Sequence, residues 1–235
     1  MIIDITYDFR KDIKPNQDPD KYSKKLRSYH KELWSKILPS GEKFNLSDTQ
    51  PNKYLYHKSS LGKFSLSSDG IGVTLLNRKS MNSIINQIKE EEKEKILEIM
   101  YSIGGFIIFP SDRVLINGKS KMTINGERGI NQKITDRFDL TLECIRRYYL
   151  NIKSPLSETL NRYKDFFSLF KNFEGYVEFF LLQDLVNSDF TKIKFFLPFD
   201  ETFPLKPLPK NIEDYNIYIE NNLQFIINRG NRMKK

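Results

Sequence analysis

The chain has 235 residues, a formal charge of +8, one cysteine and two histidines. Those counts exclude an internal disulfide framework, a cysteine zinc cluster and a histidine-rich metal centre. Aromatic residues make up 13% of the chain, enough burial for one compact core despite a charged fraction of 29%, so a disordered chain is excluded too.

In chain order, the opening run MIIDITYDFRKD alternates apolar and polar residues and carries no positive leader, which predicts a first β-strand. Residues 11–20, with two prolines, read as a loop. Tyr22, Leu26, Tyr29, Leu33 and Ile37 recur at helical steps, predicting a helix over 20–37 that Pro39 and Gly41 end. His30 falls on its apolar face as a core residue. Between Glu42 and Leu76 the texture becomes a meander of short strands at 43–46, 54–57, 63–66 and 71–76. His57 ends one of them, and Ser65–Asp69 reads as strand end and turn.

Residues 81–103 return to helix around the charged run EEEKEK, followed by the strand FIIFP. Val114–Ile116, Asn117–Gly118 and Lys119–Ile124 predict a hairpin, since Asn-Gly favours the positive φ angles of a tight turn. A helix over 135–150 comes next, then one opened by Ser154–Pro155. YVEFFLLQDLV predicts a central buried helix, KIKFFL a strand, and residues 212–228 a last helix before a basic tail over 229–235. The resulting expectation is α+β: one domain over 1–235, an antiparallel sheet in the first half packed against a mainly helical second half.

No run approaches the ~18 apolar residues a membrane span requires, so the expected location is the cytoplasm, with no membrane partner. The excess of lysine and arginine favours a polyanionic partner, because these residues displace counterions from phosphates. Nucleic acid or a nucleotide is the expected ligand class, and the oligomeric state stays open.

The residues that would carry such a role cluster between Ile124 and Tyr149. Asn125 to Gly129 lies before a helix as a glycine-bracketed turn, where backbone N–H groups and the helix N-terminus would attract an anion and Arg128 would close over it. On the helix, Phe138, Leu142 and Ile145 point inward, while Asp136, Asp139, Glu143, Arg146 and Arg147 share the opposite face. The three carboxylates at i, i+3 and i+7 have the spacing to hold Mg²⁺, with Arg146 and Arg147 on the bound phosphate. Equally, Glu143 can pair with Arg146 at i+3 and Arg147 at i+4, which makes the face purely structural. Three functions therefore stand open: a phosphate or nucleic-acid surface with a defence or toxin role, a non-enzymatic interaction module, and a metal-dependent phosphodiesterase. Cys144 reads as a buried structural thiol.

The stretches YHKELWSKILPSGEKF, FIIFPSDR, GERGINQKITDRFDLTLECIRRYY, SPLSETLNRYKDFFSLF and FEGYVEFFLLQDLV together resemble an uncharacterised bacterial family of the domain-of-unknown-function type. The resemblance runs from about His30 to Phe199, and DRFDLTLECIRRYY is its strongest block. It implies an intracellular protein of a bacterium or phage, and no mechanism.

Overall fold

The computed structural model describes residues 1–48, 53–72 and 75–234. Its elements are helices α1 (Pro19–Tyr22) and α2 (Lys24–Trp34), strands β1 (Leu55–Ser59) and β2 (Gly62–Gly70), helices α3 (Asn82–Ile85) and α4 (Glu90–Met100), and strands β3 (Phe106–Pro110), β4 (Leu115–Ile116) and β5 (Lys119–Ser120). Helices α5 (Ile124–Ile130), α6 (Phe138–Tyr149), α7 (Ser157–Arg162), α8 (Lys164–Ser168), α9 (Phe173–Phe179) and α10 (Ile212–Met233) follow. The fold is α+β, as the texture of the chain predicts: an early antiparallel sheet of order β1-β2-β3 against helices of the later half. No described helix is long and apolar enough to cross a membrane.

Local signals account for most departures from the expected elements. The first helix is two, because Asp18 caps α1 with Pro19 at its first position, and extended Ser23 then caps α2 through a 2.9 Å bond from Leu26 N–H. The N-terminal run is not a strand: Asp4 folds back on Thr6, and Asp8 caps a 3-10 turn over Phe9–Asp12 that buries Phe9. Ile37 with Lys43 and Ser47 with Tyr56 form only isolated bridges, while the expected strand at 71–76 lies partly outside the described residues. The helical stretch after residue 79 breaks into a 3-10 turn, α3 and α4, with Glu90, Glu91 and Glu92 in the first turn of α4, where the helix dipole favours acids.

The Asn117–Gly118 hairpin forms with both residues at positive φ, 50° and 71°. Lys119–Ile124 is shorter as a strand than expected, because Thr123 caps α5 with a 3.3 Å bond from Gly126 N–H. KIKFFL makes no ladder; the Phe196 N–H goes to Asp139 at 2.9 Å and its carbonyl to Asn221 at 3.0 Å. The expected central helix is cut to α9 plus a 3-10 turn over Gln183–Leu185.

The largest correction is at the C-terminus. Residues 229–233 are the last turns of α10 rather than a basic tail, and Arg229 is wholly buried. Its guanidinium donates to the carbonyls of Phe180 (3.0 Å), Gly104 (2.8 Å) and Phe106 (2.7 Å), with Trp34 5.6 Å away face-on. Gly104 permits this approach: a Cβ there would lie 2.3 Å from the Ile226 carbonyl of α10. Around Trp34, the rings of Phe170, Tyr176, Phe179 and Phe180 pack edge-on or tilted at 5.0–5.4 Å between neighbouring centroids. Thus β2 has α2 and Trp34 on one face and α5 with α6 on the other.

Candidate functional site

On α6 the inward face is as predicted: Phe138, Leu142 and Ile145 are fully buried. The outward face is not a free charged surface. Helix α6 begins at Phe138, so Asp136 lies before it, in the left-handed region at φ 67°. Asp139 is buried and takes both ends of the Arg137 guanidinium, which also donates to the carbonyls of Pro207 (2.9 Å) and Leu197 (3.3 Å). The pair therefore clamps the 196–207 connection over the helix. Glu143, 2% exposed, receives Arg146 at 2.7 and 2.9 Å and Arg147 at 2.6 Å. Its hydrogen bond, with burial opposing it, raises the Arg146 pKa.

Asp136, Asp139 and Glu143 thus meet different guanidinia and do not converge. Among the described residues no three acidic, histidine or cysteine side chains are placed to hold a metal ion, which corrects the Mg²⁺ expectation. The expected anion turn at Asn125–Gly129 is helix α5. Asn125 pins that helix to β2 by donating to Ser67 Oγ (3.0 Å) and the Ser68 carbonyl (3.3 Å). Arg128 closes over nothing external: it is wholly buried, pairing with Asp69 and donating to Thr141 Oγ1 at 2.8 Å and the Asp136 carbonyl at 3.2 Å.

The Arg128 partner Asp69 lines a cleft of about 620 Å³, a volume typical of small-molecule sites. Its polar lining residues include Asp18, Asp20, Ser68, Asp69, Asn77, Arg78 and Asp136, and its apolar ones Leu75, Leu76, Leu97, Met100, Tyr101 and Phe106. Three non-glycine residues around it hold left-handed backbone: Leu75 (φ 59°), Thr135 (φ 49°) and Asp136 (φ 67°). Such conformations cost on the order of 1–3 kcal/mol each and gather at functional sites. Arg78 fixes the Thr135 turn by donating to its carbonyl at 2.9 Å, and Asp136 N–H is held by the Arg128 carbonyl at 3.0 Å.

The carboxylates are electrostatically distinct. Asp18 caps α1 and meets Lys21 at 3.3 Å and the Tyr54 hydroxyl at 3.2 Å. Asp20, reached by Ser68 N–H at 2.6 Å, has no cationic side chain bonded to its carboxylate among the described residues. Burial pushes its pKa up to about 7; hydrogen bonding by Ser68 opposes this, and the charges of Asp18 and Asp69 reinforce it. Burial also raises Asp69, with Arg128 pulling the other way. One carboxyl is therefore poised to exchange a proton near neutrality beside others held by cations.

The Ser68 hydroxyl meets His30 Nε2 at 2.6 Å, and His30 Nδ1 accepts the Trp34 indole N–H at 3.1 Å. Burial, with the charges of Arg229 and Arg27, drops the His30 pKa to about 3. Neither Asp20 nor Arg78 stands out in the sequence, and Ser68 and Asp69 read there only as strand end and turn. A signal was present in SLSSDG: Ser67, Ser68 and Asp69 put polar groups on both faces of the central strand, beside a glycine.

The fold and cleft together define an α+β protein with an acidic, partly apolar hollow at one end of its central strand. The chain belongs to the Family of unknown function (DUF6994), whose pattern matches residues 3–233, nearly the whole chain and further in both directions than the resemblance between His30 and Phe199. No curated protein and no solved structure matches it.

Proposed function

We propose that the cleft binds a small organic molecule bearing an ammonium or guanidinium group on an apolar body, and that Asp20 exchanges a proton with it. The observation that carries this reading is the convergence of Asp18, Asp20, Asp69 and Asp136 on one hollow that, among the described residues, Arg78 alone lines as a cation, together with apolar side chains. Carboxylates accept hydrogen bonds from a donor-rich head group, while Leu97, Met100 and Phe106 supply area for the body. A proton-transfer group works best with a pKa near the working pH, which Asp20 has and an ordinary aspartate lacks. The overall charge of +8 is no obstacle, since the acidic lining sets the local field.

Calorimetry with agmatine, benzamidine and phenethylamine tests this directly. Binding of at least one probe should weaken tenfold or more in D20N. It should also weaken in Gly129→Phe, where a side chain enters the mouth from a position whose Cβ meets nothing within 4 Å. Absence of binding by all three probes, or binding indifferent to both substitutions, would overturn the reading.

A separate observation favours a phosphate or nucleotide ligand. A second hollow of about 530 Å³ is lined by Lys133, Arg147, Lys153 and Arg162, and among the described residues the Arg162 guanidinium donates only to the Met122 carbonyl and Thr159 Oγ1. Glu127, Glu158 and Glu201 line it as well, so its charge is nearly balanced and the first reading has the stronger support. Steeply salt-dependent binding of AMP or a short RNA, lost in Lys153→Ala, would favour this hollow instead.

A further inference from the structure

The β4–β5 ribbon stands clear of the body of the fold. Its ladder sets Ile116 beside Lys119 on one face and Leu115 beside Ser120 on the other, because successive strand residues point to opposite sides. A ribbon lying on the core would hide one of those faces. Here Leu115 is 69% exposed and Ile116 40%, and Met122, just beyond β5, is 45% exposed. Val114, joined to Lys121 by a 2.9 Å backbone bond, packs against the core and roots the ribbon. At the tip, a Cβ on Gly118 would meet nothing within 4 Å.

Charge on this ribbon has one sign. Residues 113–122 hold Arg113, Lys119 and Lys121 and no aspartate or glutamate. Among the described residues none of these cations is in an ion pair. Two bonds fasten the base of the ribbon to the start of β2: Ser111 N–H to the Ser65 carbonyl at 2.8 Å, and Ser65 N–H to Asp112 Oδ2 at 2.7 Å. Close by, the β1–β2 register places Lys58 directly opposite Lys63, a like-charge pair that costs stability in an isolated sheet. The acids at this end, Asp112 and Glu42, bond Ser65 and Ser60 rather than any of these cations.

We propose that the ribbon docks on an anionic lipid surface. Leu115, Ile116 and Met122 enter the boundary between head groups and acyl chains, while Arg113, Lys119 and Lys121 meet the lipid phosphates. The pairing of apolar and cationic side chains selects this occupant. A nucleic acid answers the cations but gives apolar side chains on two faces little to bury against in phosphate and sugar. A groove on another protein covers one face of a ribbon and leaves the other wet. A bilayer interface surrounds a protruding tip on both sides. Docking of this kind needs no spanning helix, so it revises the expectation of no membrane partner, which followed from the lack of one. It is independent of the cleft and its ligand.

Co-sedimentation of the full chain with vesicles tests this. The chain should pellet with vesicles of equal parts phosphatidylcholine and phosphatidylglycerol, stay in solution with phosphatidylcholine alone, and be released as salt rises. Each cation at an anionic surface contributes roughly fivefold to partitioning, so the double variant Lys119→Glu, Lys121→Glu should bind about twentyfold more weakly or worse. The double variant Leu115→Ser, Ile116→Ser removes apolar burial alone and should weaken binding about tenfold, with the salt dependence of wild type. All four side chains lie outside the core, so urea unfolding followed by Trp34 fluorescence should match wild type and separate lost docking from lost fold. Absence of binding to the mixed vesicles would overturn the proposal, and so would binding that survives the serine pair, which is adsorption by charge alone. A short DNA duplex bound through Lys119 and Lys121 and indifferent to the serine pair, without vesicle binding, would assign the ribbon to nucleic acid instead. Self-association in sedimentation velocity that the serine pair abolishes, again without vesicle binding, would assign it to a second copy of this chain.

Discussion

Replacing Asp20 with asparagine should make the protein more stable at pH 8 and leave it nearly unchanged at pH 4. The carboxyl rises from 3.8 to about 7 on folding, chiefly because burial disfavours its charged form. Between those values the folded protein holds a proton that the unfolded chain has released. Stability present below pH 4 is therefore lost as pH rises towards 7, and stays lost above it. About three pH units correspond to roughly 4 kcal/mol at 1.36 kcal/mol each, an upper bound because Asp20 keeps some contact with solvent; about 1–3 kcal/mol is the working figure. Asparagine retains an oxygen for the Ser68 N–H and never ionises, so D20N escapes the loss. Urea unfolding followed by Trp34 fluorescence at pH 4, 6 and 8 measures the difference, and comparison with wild type at each pH cancels the other titrating groups. If D20N is no more stable than wild type at pH 8, Asp20 is an ordinary solvated carboxylate and its proton-exchange role falls with it.

Two further substitutions separate fold from site. Arg229→Met keeps much of the side-chain volume but strips partners from the carbonyls of Gly104, Phe106 and Phe180, and should cost about 3–5 kcal/mol in urea unfolding; a loss below 1 kcal/mol would return that residue to the solvated tail its composition suggests. Asp139→Asn leaves Arg137 buried without its counter-charge and should cost a similar amount, about 3–5 kcal/mol, with no effect on amine binding in the cleft; a variant of wild-type stability would mean that the 196–207 connection does not depend on this pair.

What could be read in the chain follows from the range of the forces involved. The inward face of α6 and the Asn117–Gly118 hairpin were legible because helical periodicity and turn chemistry act over a few residues. On the face carrying Asp139 and Glu143 the local pairing of Glu143 with Arg146 and Arg147 was legible for the same reason, and the burial of that face was not. A helical wheel shows two carboxylates opposite the core, but not that residues 196–207 come back to meet Asp139, nor that Arg137 is drawn in as its companion. Arg229 in a basic C-terminal run looks solvated until α10 is laid against Trp34 and the carbonyls beside Gly104.

The cleft is the extreme case. Asp20 meets Ser68 across 48 positions, and Arg128 meets Asp69 across 59. In the chain Asp20, Ser68 and Asp69 sit in DPD and SLSSDG, which are ordinary turn-forming compositions. Only the caps at Asp18 and Ser23 turn the first of them into a one-turn helix that aims a carboxylate at the central strand. Only the sheet makes Ser68 and Asp69 neighbours that face opposite ways, one towards His30 and the other towards Arg128. The same strand thus gives one aspartate a cation and leaves the other without one, and that asymmetry is what separates their proton affinities. Charge that helical spacing assigns to α6 is consumed in holding the fold together, whereas charge that local pattern assigns to loops is what remains available at the cleft.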